Sequence, residues 1–147
     1  MPTSERPRTD LRRSLQVRHV DAGSCNACES ELAAITNPVY DAQRHGLDIV
    51  ASPRHADVLT VSGPVTRQMA GALARTYEAM GEPRLVVALG DCAMGRCPFR
   101  GSYAAGVGAG AVVEVDAQIP GCPPTPGDIV RHLRALMAGS AGTGRDG

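Results

Sequence analysis

The run Leu85–Leu89 reads Leu-Val-Val-Ala-Leu with no polar residue in it, and Val58–Val61 is a second short run of mostly apolar, partly β-branched residues. A strand with one wet face alternates apolar and polar residues, so a nearly continuous apolar strand is buried on both faces. In a small chain that calls for helices on both sides of a mostly parallel sheet, because parallel strands need crossover connections and the crossovers supply the covering layers. Helical windows lie between the runs. Leu15–Val20 alternates as a strand does, Asn26–Ile35 sets Leu32, Ala33 and Ile35 at helical spacing, and Asn37-Pro38 stops that helix. Leu47–Val50 and Val58–Val61 read as strands, Ser62-Gly63-Pro64 breaks the second, and Gln68–Met80 is a helix ending at Gly81. Beyond Leu85–Leu89, Ala111–Val115 reads as a further strand. A last helix begins after Thr125-Pro126 and carries Ile129, Val130, Leu133 and Leu136 on one face. The predicted fold is a single doubly wound α/β domain with a mostly parallel sheet.

A chain of 147 residues suits one such domain. Its first 13 residues carry two prolines and four arginines among polar residues and read as a flexible arm. Residues 139–147 are mostly small and polar and read as a flexible tail, leaving 14–138 as the folded body. Fifteen arginines balance fifteen acidic residues, so no net positive field favours nucleic acid. No apolar run approaches the ~20 residues of a spanning helix, and the start of the chain lacks an apolar signal region, so neither a membrane span nor export is expected.

The five cysteines carry the chemistry. An odd number in a chain expected to stay inside the cell is a poor disulfide framework, which leaves metal binding, catalysis or burial. Cys25 and Cys28 follow the first predicted strand, Cys92 and Cys97 follow Leu85–Leu89, and Cys122 follows Ala111–Val115. In a parallel sheet the loops after strands share the carboxyl edge, where open α/β folds bind ligands, so cysteines distant in sequence are expected to converge there. Cys25-Asn26-Ala27-Cys28 alone is compatible with a metal site or a thiol–disulfide pair. In Gly121-Cys122-Pro123-Pro124, a cysteine followed by proline is typical of the last ligand in bacterial iron–sulfur motifs, which favours iron over zinc. Gly90, Gly95, Gly101 and Gly121 flank these loops and would allow close backbone approach to an inorganic core.

Five ordered segments, Ser24-Cys25-Asn26-Ala27-Cys28-Glu29-Ser30-Glu31, Ser52-Pro53-Arg54-His55-Ala56-Asp57-Val58-Leu59, Ser62-Gly63-Pro64-Val65-Thr66, Gly90-Asp91-Cys92-Ala93 and Pro120-Gly121-Cys122-Pro123-Pro124, together resemble one family. It is the electron-transferring small subunit of membrane-bound, energy-conserving [NiFe] hydrogenases, homologous to the 20 kDa subunit of respiratory complex I. The resemblance spans about Val20 to Leu136. It implies a flavodoxin-like domain holding one [4Fe–4S] cluster, with Cys25, Cys28, Cys92 and Cys122 as ligands and Cys97 outside the set. The Cys-x-x-Cys form favours the hydrogenase branch over a complex I-like quinone oxidoreductase, whose members usually carry adjacent cysteines. The family often has glycine at Ala27 and Gly-Gly at Arg96-Cys97, so here a thiol and a cation stand near the cluster.

The implied role is electron relay to or from a large catalytic subunit, with no bond-making chemistry in this chain alone. The implied partners are that large subunit, a ferredoxin-like iron–sulfur subunit and membrane arm subunits, placing the chain in the cytoplasm, peripheral on the inner face of the cell membrane. The need for the ferredoxin-like subunit follows from a single cluster in a chain ending at Gly147. A thiol–disulfide enzyme and a zinc-stapled interaction module are the competing readings. Glu31 matches the family's glutamate and is a candidate proton relay, whereas Glu29 reads as a first-turn carboxylate favoured by the helix dipole. His55 reads as structural, and His19, His45 and His132 have no assigned role.

Serine at Cys25, Cys28, Cys92 or Cys122 should cost cluster content, and Cys97→Ser should leave it at the wild-type level. Iron and sulfide analysis of the five variants checks the ligand set.

Overall fold

A computed structural model describes residues 14–81 and 84–138. The arm and tail expected at 1–13 and 139–147 lie outside the described residues. Strands β1 (Leu15–Asp21), β2 (Leu47–Ile49), β3 (Val58–Ser62), β4 (Leu85–Leu89) and β5 (Ala117–Ile119) form a sheet in the order β2-β1-β3-β4-β5. Every pairing is parallel. This is the doubly wound order with its switch point between β1 and β3.

Helix α1 (Ala27–Ala34) and helix α3 (Pro126–Met137) cover one face, and α2 (Arg67–Ala79) covers the other. The strands divide by alternation. Leu15, Val17, Val58, Val87, Leu89 and Ile119 face α1 and α3, where Leu32, Ile35, Ile129 and Leu133 meet them. Leu59, Val61 and Val86 face Leu73 and Met80 on the α2 side. All five residues of β3 and of β4 are buried, as apolar strands inside a three-layer sandwich must be. Thr125 caps α3 by accepting from the Asp128 N–H at 3.2 Å, and Pro126 takes the first turn, where no intrahelical N–H bond is lost.

The strand expected at Ala111–Val115 is not one. Ala109–Ala111 is a 3-10 turn, and the edge strand falls later, at Ala117–Ile119. The valines that suggested a strand serve the core instead: Val113 is buried on the α2 side, with Val112 and Val115 packed beside it. Asp116 sets where pairing with β4 begins. Its N–H donates to the Val86 carbonyl at 2.8 Å, and its carboxylate accepts the Val86 N–H at 2.9 Å. The two edges of the sheet are β2 and β5. Among the described residues no helix is long and apolar enough to cross a membrane.

Leu133→Ala, which empties a fully buried position under the sheet, should cost about 2–5 kcal/mol of unfolding free energy. Thr125→Ala, which removes only the α3 cap, should cost about 1 kcal/mol. Denaturant titration of the two variants against the parent checks both values and their order.

Candidate metal centre

The first cysteine turn is built by short polar side chains. Asp21, at the carboxyl end of β1, accepts the N–H groups of Gly23 at 3.1 Å and Ser24 at 2.8 Å, and Ser24 Oγ accepts the Asn26 N–H at 3.1 Å. Asn26 caps α1 at φ 74°, a left-handed conformation that asparagine tolerates better than most residues. The turn leaves Cys25 exposed and buries Cys28, which is the second residue of α1, inside the helical window expected at Asn26–Ile35.

The second and third cysteine segments are clasped to each other. Gly90 donates its N–H to the Ile119 carbonyl at 2.8 Å, Asp91 donates to the Gly121 carbonyl at 2.9 Å, and the Asp91 carboxylate accepts the Gly121 N–H at 3.0 Å. The loop after β4, with Cys92, is thereby fixed to the loop after β5, with Cys122. Gly90 has φ +85°, and a Cβ there would lie 2.6 Å from Cys28 Sγ and 3.3 Å from the Gly121 carbonyl oxygen. Only glycine lets the β4 loop pass directly beside the Cys28 thiol.

The four predicted ligands share one electrostatic field. Burial pushes the Cys28 thiol up to about 12, with Glu29, Cys92, Cys25 and Cys122 adding to the shift. Burial also raises Cys92 to about 11, helped by the charge and hydrogen bond of Cys97 and by Cys122 and Cys25. Cys97 is buried and touches Cys92, while Cys122 is exposed. Crowded thiols of this kind stay protonated until a cation replaces their protons, which is the demand a metal core satisfies. Among the described residues, no three His, Cys, Asp or Glu side chains gather as ligands of a single ion would. A multi-iron core asks less, because each thiolate takes its own iron, and a soft, all-sulfur donor set beside a glycine gap fits such a core.

Behind the Cys-x-x-Cys turn lies a polar cluster that the sequence reading missed. Thr60 and Ser62 are fully buried on β3, and the alternation that turns Leu59 and Val61 toward α2 turns these two toward α1. Glu29 reaches Ser62 from the first turn of α1, and His19 links it to Thr60. It accepts Ser24 Oγ at 2.5 Å through one carboxylate oxygen, and Ser62 Oγ and His19 Nε2, the latter at 3.1 Å, through the other. His19 Nδ1 pairs with Thr60 Oγ at 2.9 Å. The assignment that satisfies this set is a neutral His19 with its proton on Nε2 and its Nδ1 accepting from Thr60. Burial lowers the His19 pKa, with Arg18 adding slightly, against the raising influence of Glu29 and Asp21. For Glu29 burial works upward, but the bonds from Ser24, Ser62, the backbone and His19 outweigh it and hold the carboxyl below its ordinary value. The dipole reading of Glu29 was therefore incomplete. The signal available in the sequence was the pair of hydroxyls in an otherwise apolar β3.

Other candidates fall elsewhere. Glu31 is partly buried on α1. His55 ends the 3-10 turn Pro53–His55 before β3, at the edge of the sheet opposite the cysteines. His45 lies in the turn before β2, and His132 on α3 bonds the Asp128 carbonyl at 2.8 Å.

Residues 25–136 match the sequence model of the family described as NADH ubiquinone oxidoreductase, 20 Kd subunit. The chain is 42% identical over 121 residues to a Pyrococcus furiosus protein named "Probable membrane-bound hydrogenase subunit mbhJ", covering 82% of this chain and 72% of that one. It is 41% identical over 116 residues to formate hydrogenlyase subunit 7 of Escherichia coli K12, covering 79% of this chain and 46% of that protein. Among solved structures it resembles a chain of the membrane-bound sulfane sulfur reductase, an archaeal respiratory membrane complex. The TM-score is 0.77 at 26% identity, over 95% of this chain and 77% of that one.

The neutral His19 gives stability a defined acid dependence. Its folded pKa lies below the ordinary 6.5, so in the window beneath 6.5 the unfolded chain binds a proton that the folded chain does not. His19 should therefore contribute in full above pH 6.5 and progressively less as pH falls toward its folded value. Glu29, lowered from 4.5, should add a second loss further down, as its folded value is crossed. Denaturant titrations at stepped pH check this, and His19→Asn should flatten the first limb.

Proposed function

Since this chain belongs to the NADH ubiquinone oxidoreductase 20 Kd subunit family, we propose that it is an electron-transfer subunit of a membrane-associated, hydrogenase-type oxidoreductase complex, carrying one [4Fe–4S] cluster on Cys25, Cys28, Cys92 and Cys122. The observation that carries this reading is the gap that Gly90 leaves directly beside Cys28 Sγ, at the rim where the segments bearing Cys92 and Cys122 leave β4 and β5 clasped to each other. A cluster bound there supplies one-electron chemistry at a potential set by charge, hydrogen bonds and burial. The protein's part is to hold it. Cys28 anchors the buried side, Cys25 and Cys122 the exposed side, and the Asp91–Gly121 clasp keeps Cys92 and Cys122 in register.

The exposed side supports a covering partner. Phe99 and Tyr103 are 70% and 84% exposed on the segment after Cys97, and that segment returns to the carboxyl edge where Ala109 donates to the Ala93 carbonyl. Exposed aromatic side chains are enriched at protein interfaces. We assign this edge to a large catalytic subunit, with a ferredoxin-like iron–sulfur subunit as the second electron partner and membrane arm subunits beneath. The chain itself then sits peripherally on the cytoplasmic face of the membrane. The hydrogenase branch is favoured over a quinone-reducing complex by the Cys25-x-x-Cys28 spacing and by the hydrogenase and hydrogenlyase names of two relatives.

Anaerobically purified or reconstituted chain should be brown, with iron and sulfide each approaching four per chain. Two irons per chain, or stoichiometric zinc in a colourless protein, would overturn the assignment.

A further inference from the structure

Glu29 stands one residue after Cys28, and its bonding partner Ser24 stands one residue before Cys25, so the Glu29–Ser24 contact at 2.5 Å closes the Cys-x-x-Cys turn from both ends. The other carboxylate oxygen takes the hydroxyl of the fully buried Ser62 and the His19 ring N–H, tying that closed turn to the ends of β3 and β1. The turn has no other side-chain tie of this reach among the described residues: Asp21 bonds only the backbone of Gly23 and Ser24, and Asn26 is left without a side-chain cap bond. Resting on the cluster reading above, we propose that Glu29 is a positioning residue of the cluster, a carboxylate latch that holds Cys25 and Cys28 against the sheet as ligands and sets a negative charge next to Cys28.

Both parts of the role have separate consequences. Geometry depends on the acceptor oxygens, which glutamine keeps in part and alanine removes. Charge depends on ionisation, which glutamine removes while keeping the shape. An anion close to a cluster disfavours the added electron, so neutralising it raises the midpoint potential.

The experiment uses the full chain, produced and reconstituted anaerobically, with Glu29→Ala, Glu29→Gln, Ser62→Ala and the charge control Glu78→Gln on the exposed side of α2. Iron content, the paramagnetic resonance spectrum of the reduced cluster, its midpoint potential at one fixed pH, and amide hydrogen exchange of the apo chain are read. Glu29→Ala should hold several-fold less iron than wild type, and residues 24–28 of its apo form should exchange several-fold faster. Glu29→Gln should retain most of its iron with a changed resonance spectrum and a midpoint potential shifted upward. Ser62→Ala should fall between wild type and Glu29→Ala in iron content, and Glu78→Gln should match wild type throughout. Wild-type iron content, spectrum and exchange in Glu29→Ala would overturn the latch. If Glu29→Ala fails to fold, Glu29→Gln decides, and an unshifted potential and spectrum there would overturn the role. A wild-type chain that takes up no iron would defeat the cluster reading instead, and the exchange rates of residues 24–28 would still decide whether Glu29 orders the turn.

Discussion

Parallel pairing is the constraint on which the rest of this structure depends. When all five strands run the same way, every crossover must leave from one edge of the sheet and return to the other, so every loop after a strand is delivered to a common rim. The order β2-β1-β3-β4-β5 then sets β3 and β4 between β1 and β5, and the segments that carry Cys25, Cys92 and Cys122 all leave their strands at that rim. On that face α1 and α3 pack side by side, one led in by Cys28 and the other preceded by Cys122. The chemistry of the site is a consequence of strand direction before it is a consequence of any single residue.

A rim of crowded thiols would be loose without polar ties, and two kinds supply them. The Asp91–Gly121 clasp is local to the rim and joins neighbouring strand ends. The Glu29 cluster reaches into the sandwich, where burying Thr60 and Ser62 unpaired would cost about 1–3 kcal/mol each. For Ser62, bonding to the ionised Glu29 carboxylate offsets that cost more effectively than neutral pairing, because hydrogen bonds to charged groups contribute about 1.5–3 kcal/mol, while Thr60 is paired by His19. Burial, with the same anion adding to it, raises the neighbouring Cys28 thiol. The interior thus keeps an ordered turn while making a bare thiolate harder to form, a balance that suits a site completed by a cationic core.

Glycine placement completes the fit. Gly90 admits the Cys28 sulfur where any side chain would collide, and Gly121 at φ +136° brings its backbone against Pro124 with no room for a Cβ. These are positions where the backbone itself lines the gap. The aromatic residues left exposed beyond Cys97 are the surface to which the proposed function assigns a covering partner, and two relatives are named as subunits of a membrane-bound hydrogenase and of formate hydrogenlyase.

The sequence by itself determined the fold class and the place of the cysteines. The apolar run Leu85–Leu89 and the nearly apolar run Val58–Val61, interrupted only by Thr60, leave no solution but burial on both faces, and the motif order from Ser24 to Pro124 carries the family. It did not determine the last strand, because Val112, Val113 and Val115 have the composition of a strand and only the register set by Asp116 against Val86 moves β5 to Ala117–Ile119. Nor did it determine the role of Glu29. A carboxylate in the first turn of a helix is adequately explained by the helix dipole until the packing of α1 on the sheet brings it to Ser62 and His19, residues 33 and 10 positions away. Local periodicity reports which face of an element is buried. Which groups meet across that buried face is decided only when the elements are packed, since hydrogen bonds are directional and depend on distances that no single segment contains.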